Sequence, residues 1–329
     1  MKVLFLGGKI GLWFFGDLLK MLAENGVEYE MVEPTADPAE LTEATKGIGA
    51  VITFVPVNEA MIEAFDSSVK GLVVTSIGYD NIDVEAATKK GIKVCNIPDY
   101  STEEVALHSV TMILASLKNL CLYDRTVRAG LWEGRSMVCG RPRHRLSTLT
   151  LGFMGFGRIG QKMATMMSGF GVKFIAFDPY LPEKVFKEMN TERVASADEI
   201  YQRSDIISIN MLLNDETYHM IGSESIAKMK DGVIIVNTAR GALLDLESVT
   251  KELKSGKIGA VGIDVWEQEP LPADAEILKD DNAIVSPHAA YNSIEANHEL
   301  RTKSLMTAVQ LCKGETPYNC INKKALGLA

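Results

Sequence analysis

The sequence predicts an α/β protein built on parallel sheets with helices on both faces. Three observations predict it. Short apolar runs alternate with amphipathic stretches along the chain. A glycine turn, Gly155-Phe156-Gly157-Arg158-Ile159-Gly160, stands between one such run and a helical pattern. The length, 329 residues, is enough for two domains and a sizeable core.

Taken in order, Val3 to Leu6 reads as a buried strand and Phe14 to Glu24 as a helix. Tyr29 to Val32, Ala50 to Val55, Val73 to Ser76 and Val94 to Asn96 read as further strands. Gly7-Gly8-Lys9 lacks the spacing of a phosphate loop and is expected to be a strand-to-helix turn. Asn96-Ile97-Pro98-Asp99 breaks the rhythm and marks a domain crossing. Ser101-Thr102-Glu103-Glu104 resembles a capping box, so a long helix is expected over Glu103 to Leu120, with His108 a structural histidine within it. Residues 134–148 read as a polar loop. Strands are then expected at Leu149 to Met154, Val172 to Phe177, Val194, Ile206 to Met211, Val233 to Asn237, Gly259 to Val265 and Ala283 to Val285. Helices are expected at Ala197 to Arg203, Ser223 to Met229, Leu246 to Ser255 and Ser293 to Cys312.

The glycine turn carries the first functional signal. Strand, glycine turn, helix, strand and acid follow in the order of a dinucleotide-binding βαβ unit. Gly155 allows the tight turn, Gly157 lets backbone approach a pyrophosphate, and Gly160 lets helix and strand pack closely. The free N–H groups of the helix start, from Arg158 and Ile159, then face the phosphates. Asp178 ends the second strand, where a carboxylate accepts hydrogen bonds from a ribose diol and repels a 2′-phosphate. Pro179-Tyr180 supplies no arginine to attract that phosphate. The expected cofactor is therefore NAD.

Bulk properties exclude other classes. Apolar residues make up 47% and charged residues 23%, ordinary for a globular protein. A net charge of −9 and a pI near 5.2 argue against a nucleic-acid partner. The basic cluster Arg141, Arg143, His144 and Arg145 is short and reads as a solvated loop. No apolar segment reaches membrane-spanning length, so no membrane partner is expected. The five cysteines are scattered, odd in number and without a CxxC pair, which fits a reduced, cytoplasmic compartment. No metal-ligand spacing joins them to the five histidines, so no metal is expected.

Three later strand ends pass at once from apolar to ionisable residues. They are Val236-Asn237-Thr238-Ala239-Arg240-Gly241, Ile263-Asp264-Val265-Trp266-Glu267-Gln268-Glu269-Pro270 and Val285-Ser286-Pro287-His288. In a parallel sheet all three open on the same edge as the glycine turn, which gathers Arg240, Asp264, Glu269 and His288 around one crevice. Hydride transfer to a ketone builds negative charge on its oxygen, and a histidine can deliver the proton there. A carboxylate orients that ring, and an arginine grips a 2-oxo acid carboxylate. Thr238, Ala239 and Asp264 are expected at the cofactor, Asp264 at the nicotinamide carboxamide. Singly, Arg240 could be a loop salt bridge, Glu269 a surface residue and His288 a turn histidine. Ser76-Ile77-Gly78-Tyr79-Asp80-Asn81 ends an earlier strand and reads equally as a seat for a small carboxylate or as an Asx-capped turn.

Together these stretches resemble the D-isomer-specific 2-hydroxyacid dehydrogenases. The matching segments are GYDNID at 78–83, GFGRIG at 155–160, FDPY at 177–180, NTARG at 237–241, DVWEQEP at 264–270 and SPHAA at 286–290. The resemblance implies two Rossmann-like or flavodoxin-like domains: a substrate domain split over 1–98 and 290–329, and an NAD-binding domain over 99–289. It implies Arg240, Glu269 and His288 as the catalytic set, Ile77 and Gly78 as backbone donors to the substrate, and a homodimer formed through the cofactor domains. Pocket walls would come from Tyr79, the Tyr100 region and Tyr291. HAAYNS and the tail Asn319 to Lys324 look like the C-terminal-binding-protein branch, which includes transcriptional corepressors. Departures stand at Val74 and Thr75, at Leu107 where an acid is usual, and at Asn210 to Leu213 where a proline is usual. Two readings from different classes follow: interconversion of a 2-oxo acid and its D-2-hydroxy acid, or an NAD(H)-sensing corepressor-like binding protein. A phosphoglycerate-type dehydrogenase is a third, within the first class.

Overall fold

The computed structural model describes residues 1–35, 37–132 and 144–328. The chain divides into two compact units, Met1–Tyr100 with Ser293–Ala329, and Ser101–Asn292. The first contains β1 (Lys2–Leu6), α1 (Ile10–Phe15), α2 (Lys20–Glu24), β2 (Glu28–Val32), α3 (Pro38–Ala44), β3 (Ala50–Thr53), α4 (Glu59–Ala64), β4 (Gly71–Val74), α5 (Val84–Lys89) and β5 (Lys93–Cys95). Its sheet runs β2-β1-β3-β4-β5, all parallel, the flavodoxin-like order. The core holds Leu4, Leu6, Val51, Leu72 and Val94, packed with Leu41, Ile62 and Ala87.

The second unit begins with α6 (Thr102–Lys118) and α7 (Leu120–Arg128). It continues through β6 (Thr150–Met154), α8 (Arg158–Met167), β7 (Lys173–Phe177), α9 (Glu183–Glu188), β8 (Glu192–Arg193), α10 (Ala197–Arg203) and β9 (Ile206–Ile209). It closes with α11 (Ser223–Lys228), β10 (Val233–Asn237), α12 (Leu246–Ser255), β11 (Ile258–Ile263) and β12 (Ala283–Val285). The final helix, α13 (Ile294–Cys312), returns to the first unit and packs on β3 and β4. Seven parallel strands run β12-β11-β10-β9-β6-β7-β8, so the order reverses at β6. β10 shows why the unit has three layers: Val233 and Ile235 enter one core, Ile234 and Val236 the other. Side chains alternate across a strand, so a run of five apolar or buried residues needs cover on both faces.

Several expected boundaries move. The Phe14 to Glu24 helix is two short helices joined by a 3-10 turn over Gly16–Leu19, because Gly16 has φ 47°. The long helix stops at Lys118, since Asn119 is left-handed at φ 49°, and α7, which the sequence reading did not anticipate, starts anew. The strand expected at Val194 is Glu192–Arg193, with the Val194 N–H still bonded to Ala176 at 3.0 Å. Residues 134–143 of the expected polar loop, with Arg141 and Arg143 of its basic cluster, lie outside the described residues. No single helix among the described residues is long and apolar enough to cross a membrane.

Candidate active site

The register of the seven-stranded sheet builds the site edge. Phe177 pairs with Met154, Met154 with Ile209, Ile209 with Asn237, Asn237 with Ile263, and Ile263 with Val285. The next residue on each strand is therefore on one row: Asp178, Gly155, Asn210, Thr238, Asp264 and Ser286. The strands before Gly155, Asn210, Thr238 and Asp264 are almost wholly buried, so these residues stand where the buried sheet ends.

At the reversal point Gly155 has φ 82°, and a Cβ there would lie 2.6 Å from the Asn210 carbonyl oxygen. A Cβ on Gly160 would lie 3.1 Å from the Gly155 carbonyl oxygen. Gly157 is different: its φ of −66° suits any residue, and a Cβ would meet no protein atom within 4 Å. The protein itself gives no reason for that glycine, but a pyrophosphate seated at the start of the ten-residue α8 does. Asp178 is held ready beside it, accepting from the Phe156 N–H at 3.0 Å and the Tyr180 N–H at 3.0 Å. The residues therefore fit a dinucleotide. One arginine escaped the sequence reading: Arg193 donates to the Asp178 carbonyl at 3.5 Å and faces Glu183 at 3.9 Å. It is distant in sequence and reaches the spot through the pairing of β7 with β8.

After β10 the Asn237 side chain ties down its own turn. It accepts from the Ala239 N–H at 3.0 Å and donates to the Arg240 carbonyl at 2.8 Å. Arg240 Nη1 donates to the Ala239 carbonyl at 2.7 Å. Gly241 is required by close approach, because a Cβ would lie 2.0 Å from the Trp266 carbonyl carbon. The loop after β11 thus passes directly against the Arg240 turn.

That loop meets the one after β12. His288 Nδ1 lies 2.8 Å from Glu269 Oε2 and 3.1 Å from Oε1, and Glu269 Oε1 also accepts from the Trp266 N–H at 2.9 Å. The Trp266 indole donates to the Ser286 carbonyl at 3.1 Å. His288 itself is left-handed, φ 55°, a conformation costly for most residues. Asp264 holds it there. The His288 N–H donates to the Asp264 carbonyl at 2.7 Å. The Asp264 carboxylate accepts from the Ser286 hydroxyl and from the Ala289 and Ala290 N–H groups, each of the latter at 2.9 Å. With a side chain 1% exposed, Asp264 spends most of its acceptor capacity on this loop, a role the sequence reading did not foresee.

Helix α6 braces the row from beneath. Ser109 Oγ lies 2.8 Å from Thr238 Oγ1, and His108 Nε2 lies 3.0 Å from Ser286 Oγ. Since the Ser286 hydroxyl donates to Asp264, His108 must donate to Ser286. Among the described residues no group of three His, Cys, Asp or Glu side chains could hold a metal.

In the other unit the segment after β4 is internally bonded. Ser76 Oγ donates to the Gly78 carbonyl at 2.6 Å, and Asn96 donates to the Ile77 carbonyl at 2.6 Å. Asp83, not Asp80 or Asn81, caps the following helix α5.

Residues 110–290 match the model of the D-isomer specific 2-hydroxyacid dehydrogenase NAD-binding domain. The chain belongs to that family. It is an NAD-dependent oxidoreductase of 2-oxo and 2-hydroxy acids. A glyoxylate reductase of Korarchaeum cryptofilum is 34% identical over 313 residues, 92% of each chain. A hydroxypyruvate reductase of Thermotoga maritima is 39% identical over 279 residues, 82% of this chain and 88% of its own. The crystal structure of a glyoxylate reductase from Paecilomyes thermophila superposes with a TM-score of 0.84 at 30% identity, covering 98% of this chain and 99% of that one.

Proposed function

We propose that this dehydrogenase reduces a short 2-oxo acid, of the glyoxylate or hydroxypyruvate kind, to its D-2-hydroxy acid. The observation that carries the reading is the His288–Glu269 pair at the strand-end row, with Glu269 on Nδ1. That leaves Nε2 as the ring nitrogen to serve substrate. NADH, when bound, supplies the hydride. His288 gives its proton to the ketone oxygen as charge develops there, and takes it back in the oxidative direction. Glu269 fixes the orientation of the ring through Nδ1. Arg240 is the cation for the substrate carboxylate and the polarised carbonyl. Ile77 and Gly78 are proposed as backbone donors to the substrate carboxylate. Gly155, Gly157, Arg158, Ile159 and Gly160 would hold the pyrophosphate, Asp178 the adenosine ribose, and Thr238, Ala239 and Asp264 the nicotinamide end. Names of the reductase relatives support the short substrate.

The deciding experiment is a panel of glyoxylate, hydroxypyruvate, pyruvate and 3-phosphohydroxypyruvate, each with NADH and NADPH. Turnover of the first two with NADH is expected. Preference for the phosphorylated acid favours a phosphoglycerate-type enzyme, and NADH binding without turnover favours the sensor. Preference for NADPH overturns the role given to Asp178 and shifts attention to Arg193.

We also infer a homodimer. Every residue of α7 is at least partly exposed, and Leu120, Tyr123 and Val127 form a stripe continued by Leu131 and Trp132. Light scattering of the wild type should give twice the chain mass, and Val127→Asp should halve it.

A further inference from the structure

The scattered cysteines are not all scattered in space. Cys95 closes β5, an edge strand of its sheet, and Cys320 of the C-terminal segment sits directly opposite it in an antiparallel bridge. The Ile321 N–H donates to the Val94 carbonyl at 2.8 Å, the bond that flanks a directly opposed pair. Opposed residues of that closely spaced kind have Cα atoms about 4.5 Å apart, inside the span of about 4.4–6.8 Å that a disulfide bridges. Across this bridge the two thiols perturb one another, the Cys95 pKa pushed up and the Cys320 pKa pulled down, while the Cys320 thiol donates to Asn322 Oδ1 at 3.5 Å.

We propose that Cys95 and Cys320 form a reversible redox site, oxidised by a hydroperoxide to a disulfide that clasps the C-terminal segment to the sheet edge. Both sulfurs are buried, Cys95 0% and Cys320 4% exposed, so reagent enters by local opening of the terminal segment. Among the described residues that segment forms no helix or strand after α13. Side-chain amides hold it: Asn322 accepts from the Val94 N–H at 2.9 Å and donates to Thr88 at 2.8 Å, and Asn319 donates to the Asn96 carbonyl. Cys320 is the more acidic thiol, chiefly through its interaction with Cys95, with Lys93 and Lys323 adding positive potential. Its thiolate attacks one peroxide oxygen. Hydroxide leaves, takes a proton and departs as water, and Cys320 becomes a sulfenic acid. Cys95 sulfur then attacks that sulfur, the S–S bond forms, and a second water leaves. Two thiols and one peroxide give one disulfide and two waters.

The test treats folded enzyme with stoichiometric hydrogen peroxide and maps peptides without reduction. The expected result is a loss of two hydrogens in intact mass and one cross-linked peptide pair joining Cys95 to Cys320. Dithiothreitol should reverse both, and the oxidised protein should melt at a higher temperature than the reduced one. Cys95→Ser should stop at a Cys320 sulfenic acid trapped by dimedone, and Cys320→Ser should yield no cross-link. The proposal is overturned if both thiols survive in the folded wild type, if cross-linking needs denaturant, or if the only product joins the exposed Cys121.

Discussion

Two histidine–glutamate pairs share the loop after β11, and only one of them follows the row of strand ends. Glu269 meets His288 Nδ1 at 2.8 Å, and Glu267 meets His219 Nε2 at 3.0 Å. Both histidines have left-handed backbones, φ 55° and 49°. Locally the pairs are near twins, and their surroundings separate them. His288 follows the strand-end row and is fixed through the buried Asp264. His219 lies off that row, between β9 and α11, with its ring stacked on Tyr218 at 3.9 Å. The Tyr218 hydroxyl also donates to Glu267 at 3.1 Å. In the proposed function the pair at the strand-end row does acid–base work and the other anchors the loop, a difference that rests on place in the sheet.

Mutating the two pairs in parallel breaks or sharpens that contrast. His288→Ala should lower kcat/KM for the best 2-oxo acid by about 10³-fold, within the usual range for a lost acid–base group. His219→Ala should stay within about threefold, for a surface anchor of that loop. Steady-state kinetics with NADH reads both, and similar losses would erase the distinction. Glu269→Gln comes next: kcat should fall about tenfold or more while NADH affinity, read by fluorescence titration, holds. Glu267→Gln should leave kcat within about twofold.

The smallest effect is on stability. Glu267 is held below the usual carboxylate range, first by the hydrogen bond from His219 and also by Tyr218. A carboxyl whose folded pKa is depressed stabilises the fold above its unfolded pKa, and that contribution fades as pH falls through the folded value. The pair is at the surface and screened, so less than about 1 kcal/mol is at stake. Thermal melts from pH 6 downward should show a shallower decline for Glu267→Gln than for wild type. A steeper decline in the variant would reverse the sign argued here.

Much of the site was legible because each element of it follows an apolar run. The apolar runs of a parallel sheet predict that Gly155, Thr238, Asp264 and Ser286 open on one edge, and the register of Met154, Asn237, Ile263 and Val285 puts them there. Other parts were not legible for want of a local signal. His108 and Ser109 read as ordinary positions of a long helix, and their bonds to Ser286 and Thr238 depend on how α6 packs on β10 and β11. Arg193 reaches Asp178 across a strand pair only two residues long. Helix α7 was missed because one left-handed asparagine, Asn119, both ends a helix and begins another.

By itself the sequence determined the dinucleotide turn, the parallel α/β architecture and the row of polar strand ends, since these follow from burial and from backbone freedom at Gly155. Only the tertiary structure showed why Glu269, which the DVWEQEP resemblance names, meets His288 and Glu267 does not. Glu267 and Glu269 are chemically alike and two residues apart in one loop. The choice between them rests on the path of that loop, pressed against Gly241 and tied by the Trp266 N–H to Glu269. The same holds for Cys95 and Cys320, far apart in sequence and opposed across a sheet edge. Long-range pairing has no periodicity to read, because it arises from the packing of whole elements and not from any neighbour along the chain.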